Sequence, residues 1–411
     1  MIRQFFIIVW NRRRANTLML IELLVSFICL CGALTVICYT FNNWRQPMGF
    51  KVDNAWCLSM EFADYMNMTD EEKAAAYENI EQIELALHRF DEITALSSTG
   101  YNVPFNNTRH IYTAYVNGQS YNIDKSYSTP ELIDVLKYDL IAGRWLEPGD
   151  EELNWVPVVL TKNLAELLFG DEDPIGKVVA TLDKNGEPTR GEDDAEKRVV
   201  GMISDYRRKG KFADPFFCEF CPMPNEEQKL DNYPPANFVF QVAEGVPAQF
   251  EEEIIRTVQG IEPNWNFTVS VLQEKKSEKE KEQILPLLLY GIVVWFMVTM
   301  VGMGLVGVLW QNVTRRTREL GLRRALGASA NQVRMQIMGE LLAIATLAVI
   351  IGIVIFIQFP ILQVFPSVGL GIYMVGLALS LAVVYPFVIL CGLYPSWLAT
   401  RINPVEALQY E

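Results

Sequence analysis

Few residues in this 411-residue chain have the types and spacing to do chemistry. Gly170-Asp-Glu-Asp-Pro-Ile-Gly176-Lys177-Val178 has the outline of a phosphate loop, but it holds one residue too many between its glycines. Val178 also stands where Ser or Thr would hold magnesium, and three acidic neighbours would repel phosphate. Gly302-x-Gly304-x-x-Gly307 has dinucleotide spacing, yet it lies inside a long apolar run, where glycines serve close helix packing. Cys218-x-x-Cys221 could be a disulfide, a redox pair, half a metal site or two inert thiols, and neither His88 nor His110 has ligand spacing to it. There is no G-x-S-x-G elbow and no H-E-x-x-H. Two carboxylates, Glu22 and Glu340, sit in apolar runs near their arginine-flanked ends, where helix anchoring is favoured over proton coupling. No catalytic, metal or cofactor site is expected in the chain.

The elements that carry these residues are set by the sorting of charge. Residues 43–285 hold 44 acidic and 24 basic residues, a net of −20, while the rest holds 5 acidic and 11 basic, a net of +6, every cation an arginine. The large acidic part would repel nucleic acid, so no nucleic-acid partner is expected. Four segments, 18–41, 286–311, 337–359 and 371–393, are apolar over the ~20 residues that a bilayer crossing needs. The first follows Arg12, Arg13 and Arg14 like a signal peptide, but it is longer than such an apolar core and no small-x-small cleavage site follows, so it reads as a retained anchor. Arginines before the first span and between the second and third place both flanks in the cytoplasm. Both termini are then cytoplasmic, as an N-terminal amphipathic segment, 1–17, and a tail, 394–411. Residues 43–285 lie on the other side.

The expected fold is therefore an α-helical membrane protein of four spans, with a large α/β (α+β) extracytoplasmic domain of two lobes inserted between the first and second. Strand, helix and strand are predicted over Ala55–Phe62, Thr69–Phe90 and Glu92–Ser98, the helix opened by a Thr69–Glu72 capping box. The same order returns over Asn237–Val242, Pro247–Gln259 and Asn266–Leu272. These make a split βαβ lobe of ferredoxin-like type, about 50–105 and 234–272 of a 43–272 domain. An inserted lobe, 110–233, has predicted strands Ile111–Val116, Val156–Thr161 and Arg198–Ile203 and a helix Lys162–Phe169 stopped by Gly170, with Thr181–Lys197 as an exposed hairpin tip or loop. Residues 273–285, rich in Glu and Lys, form a stalk helix running into the second span, or else a solvated linker.

The segment 312–334 carries more than orientation. Leu320, Leu322, Ala325, Leu326 and Ala328 can form an apolar helix face while Arg318, Arg323 and Arg324 project elsewhere, and Gly327 and Ser329 mark a bend and a new N-cap. Such a helix either lies on membrane lipid or enters a partner's groove. The run Arg318-Glu319-Leu320-Gly321-Leu322-Arg323-Arg324-Ala325-Leu326-Gly327-Ala328-Ser329, followed by Gln336 and Glu340, resembles the signature of the FtsX-like permease family of ABC systems, which includes MacB-type exporters. The ending Tyr394-Pro395-Ser396-Trp397, then Asn403-Pro404-Val405-Glu406-Ala407-Leu408, is similar to that family's. Gly143-Arg144-Trp145, Pro174-Ile175-Gly176-Lys177 and Val199-Val200-Gly201 resemble its MacB-type periplasmic core more loosely.

The resemblance implies that Arg318 to Ser329 form a coupling helix docking on a cytoplasmic ABC ATPase subunit, which binds the ATP. It implies a second permease copy, identical or not, in a bacterial inner membrane, and ATP-driven mechanotransmission to the outer domains. A periplasmic adaptor and an outer-membrane channel are further partners of such exporters. The leading expectation is the permease subunit of an exporter or extractor. The alternatives are an FtsX-like regulator that activates a cell-wall hydrolase and moves no substrate, and a membrane-anchored enzyme.

Overall fold

The computed structural model describes residues 13–61, 68–100, 102–116, 118–179, 181–182, 188–189, 196–224 and 234–400. Two compact units emerge, Asn43–Gln283 and a second unit made of Met1–Asn42 with Ile284–Glu411. The chain enters through helix α1, Arg13–Arg45. It then forms β1 (Ala55–Glu61), α2 (Asp70–Leu87), β2 (Ile93–Thr99), β3 (Ile111–Val116), β4 (Gln119–Ser128), α3 (Leu132–Leu136) and β5 (Leu140–Gly143). Next come β6 (Val156–Thr161), α4 (Lys162–Phe169), the short β7 (Thr181–Leu182) and β8 (Pro188–Thr189), β9 (Lys197–Ile203) and β10 (Cys218–Pro222). β11 (Asn237–Val242), α5 (Phe250–Ile261) and β12 (Asn266–Val271) close the α/β unit. The remaining helices are α6 (Leu272–Arg315), α7 (Thr317–Ala325), α8 (Ala330–Phe356), α9 (Gln358–Ile361) and α10 (Leu370–Ala399).

In the α/β unit the strand order β12-β1-β11-β2 is antiparallel throughout. This is the arrangement of two βαβ halves interleaved as a split lobe. Side-chain alternation explains its two buried faces. Trp56, Leu58 and Met60 face α2 and α5 together with Phe238 and Phe240, while Cys57 and Val239 point into the other core. Helix α2 starts where the sequence marks it. Thr69 Oγ1 accepts from Glu72 N–H at 3.3 Å, and the Glu72 carboxylate accepts from Thr69 N–H at 2.8 Å. That backbone N–H, with the Thr69 hydroxyl, holds the exposed Glu72 carboxyl below its ordinary pKa.

The two lobes are less separate than their sequences suggest. β2 pairs with β4 through Thr99 and Ser128, so one sheet path runs on through β10, β6, β9 and β5. A single core joins them, with Phe50, Cys57 and Val239 of the split lobe packed with Tyr138, Val159 and Phe220. Strands β4 and β10 lie at the centre of this path, yet β4 is largely polar in sequence and β10 carries Glu219. Asp124, Ser126 and Ser128 on β4 and Glu219 on β10 are fully or nearly fully buried. The two carboxylates are held by partners, whereas the Ser126 and Ser128 hydroxyls have none among the described residues. Glu219 accepts from Lys197 Nζ at 2.6 Å and Tyr112 OH at 2.9 Å, and Asp124 accepts from Arg109 Nε at 2.9 Å. Of the expected loop 181–197, all but the four residues of β7 and β8 and the β9 end at 196–197 lies outside the described residues.

In the membrane unit four helical stretches, Thr17–Arg45, Leu272–Arg315, Ala330–Ile361 and Leu370–Ala399, are long and apolar enough to cross a bilayer. They pack through small residues. A Cβ on Gly352 would overlap the Phe27 ring, and one on Gly376 would overlap Thr35. Met19, Leu23 and Phe27 recur at four-residue spacing and form the buried stripe of α1.

Candidate functional site

The loop between α6 and α8 forms helix α7, and its apolar residues divide between two directions. A helix turns about 100° per residue, so Leu320 and Leu322 diverge while Leu322 and Leu326 lie on one face. Leu320, 2% exposed, packs with Val313, Val333 and Ile337, and Gly321 beside it is buried. Leu322 and Leu326 are 49% and 80% exposed, with Ala325 also outward. This corrects the expectation of one apolar face holding Leu320, Leu322, Ala325 and Leu326 together. The inward leucine anchors α7, and the outward pair is offered for contact. The side chains of Arg318 and Arg324 lie outside the described residues.

Backbone chemistry fixes both ends of the bend. Gly327 takes φ +96°, a conformation that glycine adopts without steric cost, and Ala328 N–H reaches back to Arg323 C=O at 3.0 Å. Ser329 then caps α8. Its Oγ accepts from Gln332 N–H at 3.3 Å, and Gln332 Oε1 accepts from Ser329 N–H at 2.9 Å.

A polar clasp holds α7 to α8. Arg323 donates to Glu319 Oε1 at 2.7 Å and also to Gln336 Oε1, Gln336 Nε2 donates to Glu340 Oε1 at 3.1 Å, and Arg316 donates to Glu340 Oε2 at 2.5 Å. Glu340 thus anchors to an arginine, within a five-residue chain. Arg316 is the member that pattern reading missed, because a positive flank explains its charge without naming a partner. Glu22 behaves otherwise. Among the described residues no cation pairs with it, and its carboxylate packs where a Cβ on Gly304 would sit.

The remaining sequence motifs resolve as structure. Gly302 lies against Phe387 and Gly304 against Glu22, whereas Gly307 faces open space. Gly176 takes φ +79° in a turn, and Lys177 pairs with Glu172 at 2.5 Å instead of pointing into an anion cradle. Cys218 and Cys221 stand three residues apart on one strand, so they enter different cores on its two faces. A disulfide between them is therefore absent, and burial, with the nearby carboxylates, pushes the Cys218 thiol well above its ordinary range. Among the described residues no group of three or more metal-ligating side chains forms.

Three separated motifs of the α/β unit meet around β9. Gly176 N–H donates to Val199 C=O at 2.8 Å, Val199 N–H to Lys177 C=O at 3.0 Å, and Arg144 N–H to Val200 C=O at 2.9 Å. Gly143 and Gly201 permit this approach, since a Cβ on either would overlap the facing backbone. Arg144 then clamps Asp150 with two hydrogen bonds of 2.8 Å.

Comparison with known proteins gives this geometry a family. Residues 291–404 match the FtsX-like permease C-terminal family. The chain is 24% identical over 82% of its length to the macrolide export ATP-binding/permease protein MacB of Marinobacter nauticus, and 24% identical over 66% of its length to the MacB of Bdellovibrio bacteriovorus. It spans 48% and 41% of those two proteins, less than half of each. It is also 24% identical to the uncharacterized ABC transporter permease YvrN of Bacillus subtilis, over 71% of this chain and 70% of that one. Among solved structures, the periplasmic region of MacB from Actinobacillus actinomycetemcomitans aligns with 56% of this chain and 94% of its own, at 14% identity and a TM-score of 0.37. Residues 291–404 thus carry an FtsX-like permease C-terminal domain, and the chain, with four helices long and apolar enough to cross a membrane, is similar to MacB-type ABC permeases.

Proposed function

We propose that this chain is the permease subunit of an ABC transporter of the mechanotransmission type, coupling ATP hydrolysis by a separate cytoplasmic ATPase to export or extraction of an extracytoplasmic substrate. The observation that carries the reading is α7 itself, with Leu322 and Leu326 exposed side by side and Leu320 buried behind them. Burying two leucines in a partner's groove contributes about 3 to 6 kcal/mol, enough to seat a helix. The clasp from Glu319 to Glu340 then passes a displacement of α7 to the start of α8. Helix α6 is the stalk in this reading and carries the stroke toward the α/β unit. Both termini are cytoplasmic, the membrane is the bacterial inner membrane, and a second permease copy completes the transporter. A periplasmic adaptor and an outer-membrane channel extend the same reading.

Gentle detergent extraction of the full chain tests it. An ATPase of the ABC class is expected to co-purify, and Leu322→Asp with Leu326→Asp is expected to release it while the permease stays folded. Recovery of the same ATPase with both substitutions present would overturn the coupling role. Recovery of a cell-wall hydrolase and no adaptor would move the reading to the regulator.

A further inference from the structure

Connections between strands run over the surface, because buried backbone must find hydrogen-bond partners. The connection from β9 to β10 departs from this rule, since of residues 204–217 only Lys209 is exposed. An antiparallel bridge between Tyr206 and Phe216 closes its base, with Phe216 N–H donating to Tyr206 C=O at 2.8 Å. Across the loop Arg207 Nη1 donates to Ala213 C=O at 2.6 Å. The result is a compact closed loop of the Ω type.

The ends of two helices meet its backbone. Asn43, 4% exposed in the last turn of α1, donates from Nδ2 to Phe212 C=O at 3.3 Å and to Asp214 Oδ1 at 3.2 Å. Gln283 of α6 donates from Nε2 to Lys209 C=O at 2.8 Å. Gly210, at φ +102°, turns the chain between Phe105 and Glu280 of α6. Asn43 and Gln283 are also the first and last residues of the α/β unit, so the loop is gripped where the chain enters that unit and where it leaves.

The other side of the loop is fixed to the sheet. Arg207 N–H donates to Met48 C=O at 3.0 Å, Phe105 N–H donates to Arg208 C=O at 2.9 Å, and Tyr206 OH donates to Asn102 C=O at 3.1 Å. Arg208 is fully buried. Its Nη1 donates to Asn106 C=O at 2.5 Å, and its Nε stands 3.7 Å from Asp124 Oδ2 on the central strand β4. A buried charge held in this way cannot leave its partners without a large cost, so the loop moves with the sheet.

We propose that residues 205–216 are a clamp that holds the ends of α1 and α6 together against β4, with Asn43 and Gln283 as positioning residues, so that the two helices act on the α/β unit as one body. The clamp needs no ATPase, whereas its delivery of a stroke to β4 rests on the permease reading above.

The experiment is hydrogen exchange, read by mass spectrometry with residue-level fragmentation, on the full chain in phosphatidylcholine nanodiscs without nucleotide. Asn43→Leu and Gln283→Met keep side-chain size and remove the donor. Asn43→Leu is expected to speed exchange about two- to tenfold at Ala213 and Phe216, and also at Gly210 and Phe105, to which Asn43 is not bonded. Gln283→Met is expected to do the same as far as Phe216. Gln283→Lys keeps a donor for the Lys209 carbonyl and should exchange as wild type does. No change, a change confined to the backbone bonded to the substituted side chain, or equal loss in Gln283→Lys and Gln283→Met would overturn the clamp. With the co-purified ATPase and ATP, the Leu and Met variants should hydrolyse at the wild-type rate while the nucleotide-dependent change in exchange along β4 falls. An undiminished β4 response beside a loosened loop would overturn the coupling role. Failure of any ATPase to bind would count against the permease reading alone, because the nucleotide-free result decides the clamp.

Discussion

Lys197 with Glu219 in the α/β unit and Arg316 with Glu340 in the membrane unit make ion pairs of nearly equal length, 2.6 and 2.5 Å. Their surroundings differ. The first pair is 5% and 0% exposed and lies beneath the Tyr112 ring, which Lys197 Nζ approaches to 4.7 Å. The second is 18% and 14% exposed and continues into Gln336, an amide that both donates and accepts. A dehydrated pair holds one arrangement, because separating it strands a charge. A part-wetted chain with an amide link can exchange partners at small cost, which suits a segment that is displaced and returns.

The comparison can be broken at either end. The largest effect is expected on docking, since Leu322→Asp with Leu326→Asp removes about 3 to 6 kcal/mol of burial and inserts charge, lowering ATPase retention more than a hundredfold in a pull-down. Permease stability should be unchanged, because both side chains are exposed. Lys197→Met leaves Glu219 buried without its cation and should cost about 3 to 5 kcal/mol in the α/β unit, read as a lowered denaturation midpoint of the full chain. Gly201→Ala forces a Cβ against Arg144 C=O and should cost about 1 to 3 kcal/mol in the same assay. Glu340→Gln should change stability by only about 1 kcal/mol while raising trypsin cleavage at Arg323, since the clasp loses its carboxylate. Wild-type cleavage in that variant would argue against the clasp.

The smallest effect is on pH dependence. Burial alone would raise the Asp150 pKa, but the Arg144 hydrogen bonds, with Glu147 N–H, outweigh it and hold the carboxyl below its ordinary 3.8. The contribution is therefore present above the unfolded value and is lost as pH falls below about 4 and through the lower folded one. Arg144→Ala should flatten that acid limb of the denaturation curve.

Where local signals were strong, the sequence sufficed. The stretches Ile111–Val116, Val156–Thr161, Lys162–Phe169 and Asn237–Val242 coincide with β3, β6, α4 and β11, because alternation, an amphipathic turn and Gly170 mark them. β4 and β10 were illegible for a reason that is also physical. Asp124 and Glu219 read as surface residues until their cations arrive from Arg109 and Lys197, which only the fold brings near. On α7 the leucines were legible and their division was not. Leu320 has the same chemistry as Leu322, and only the helical turn and the Val333–Ile337 pocket separate them.

The sheet register also constrains how the chain is made. β1 finds its ladder partners in β11 and β12, Ala55 opposite Gln241 and Trp56 opposite Val271. During synthesis β1, α2 and β2 therefore emerge long before the strands that complete their sheet. The inserted lobe, whose β3–β4 hairpin is local, can form first and serve as the edge on which the split lobe closes. Nascent chains halted before Asn237 should expose the apolar face of β1 to chaperones, and chains extended past Val271 should not.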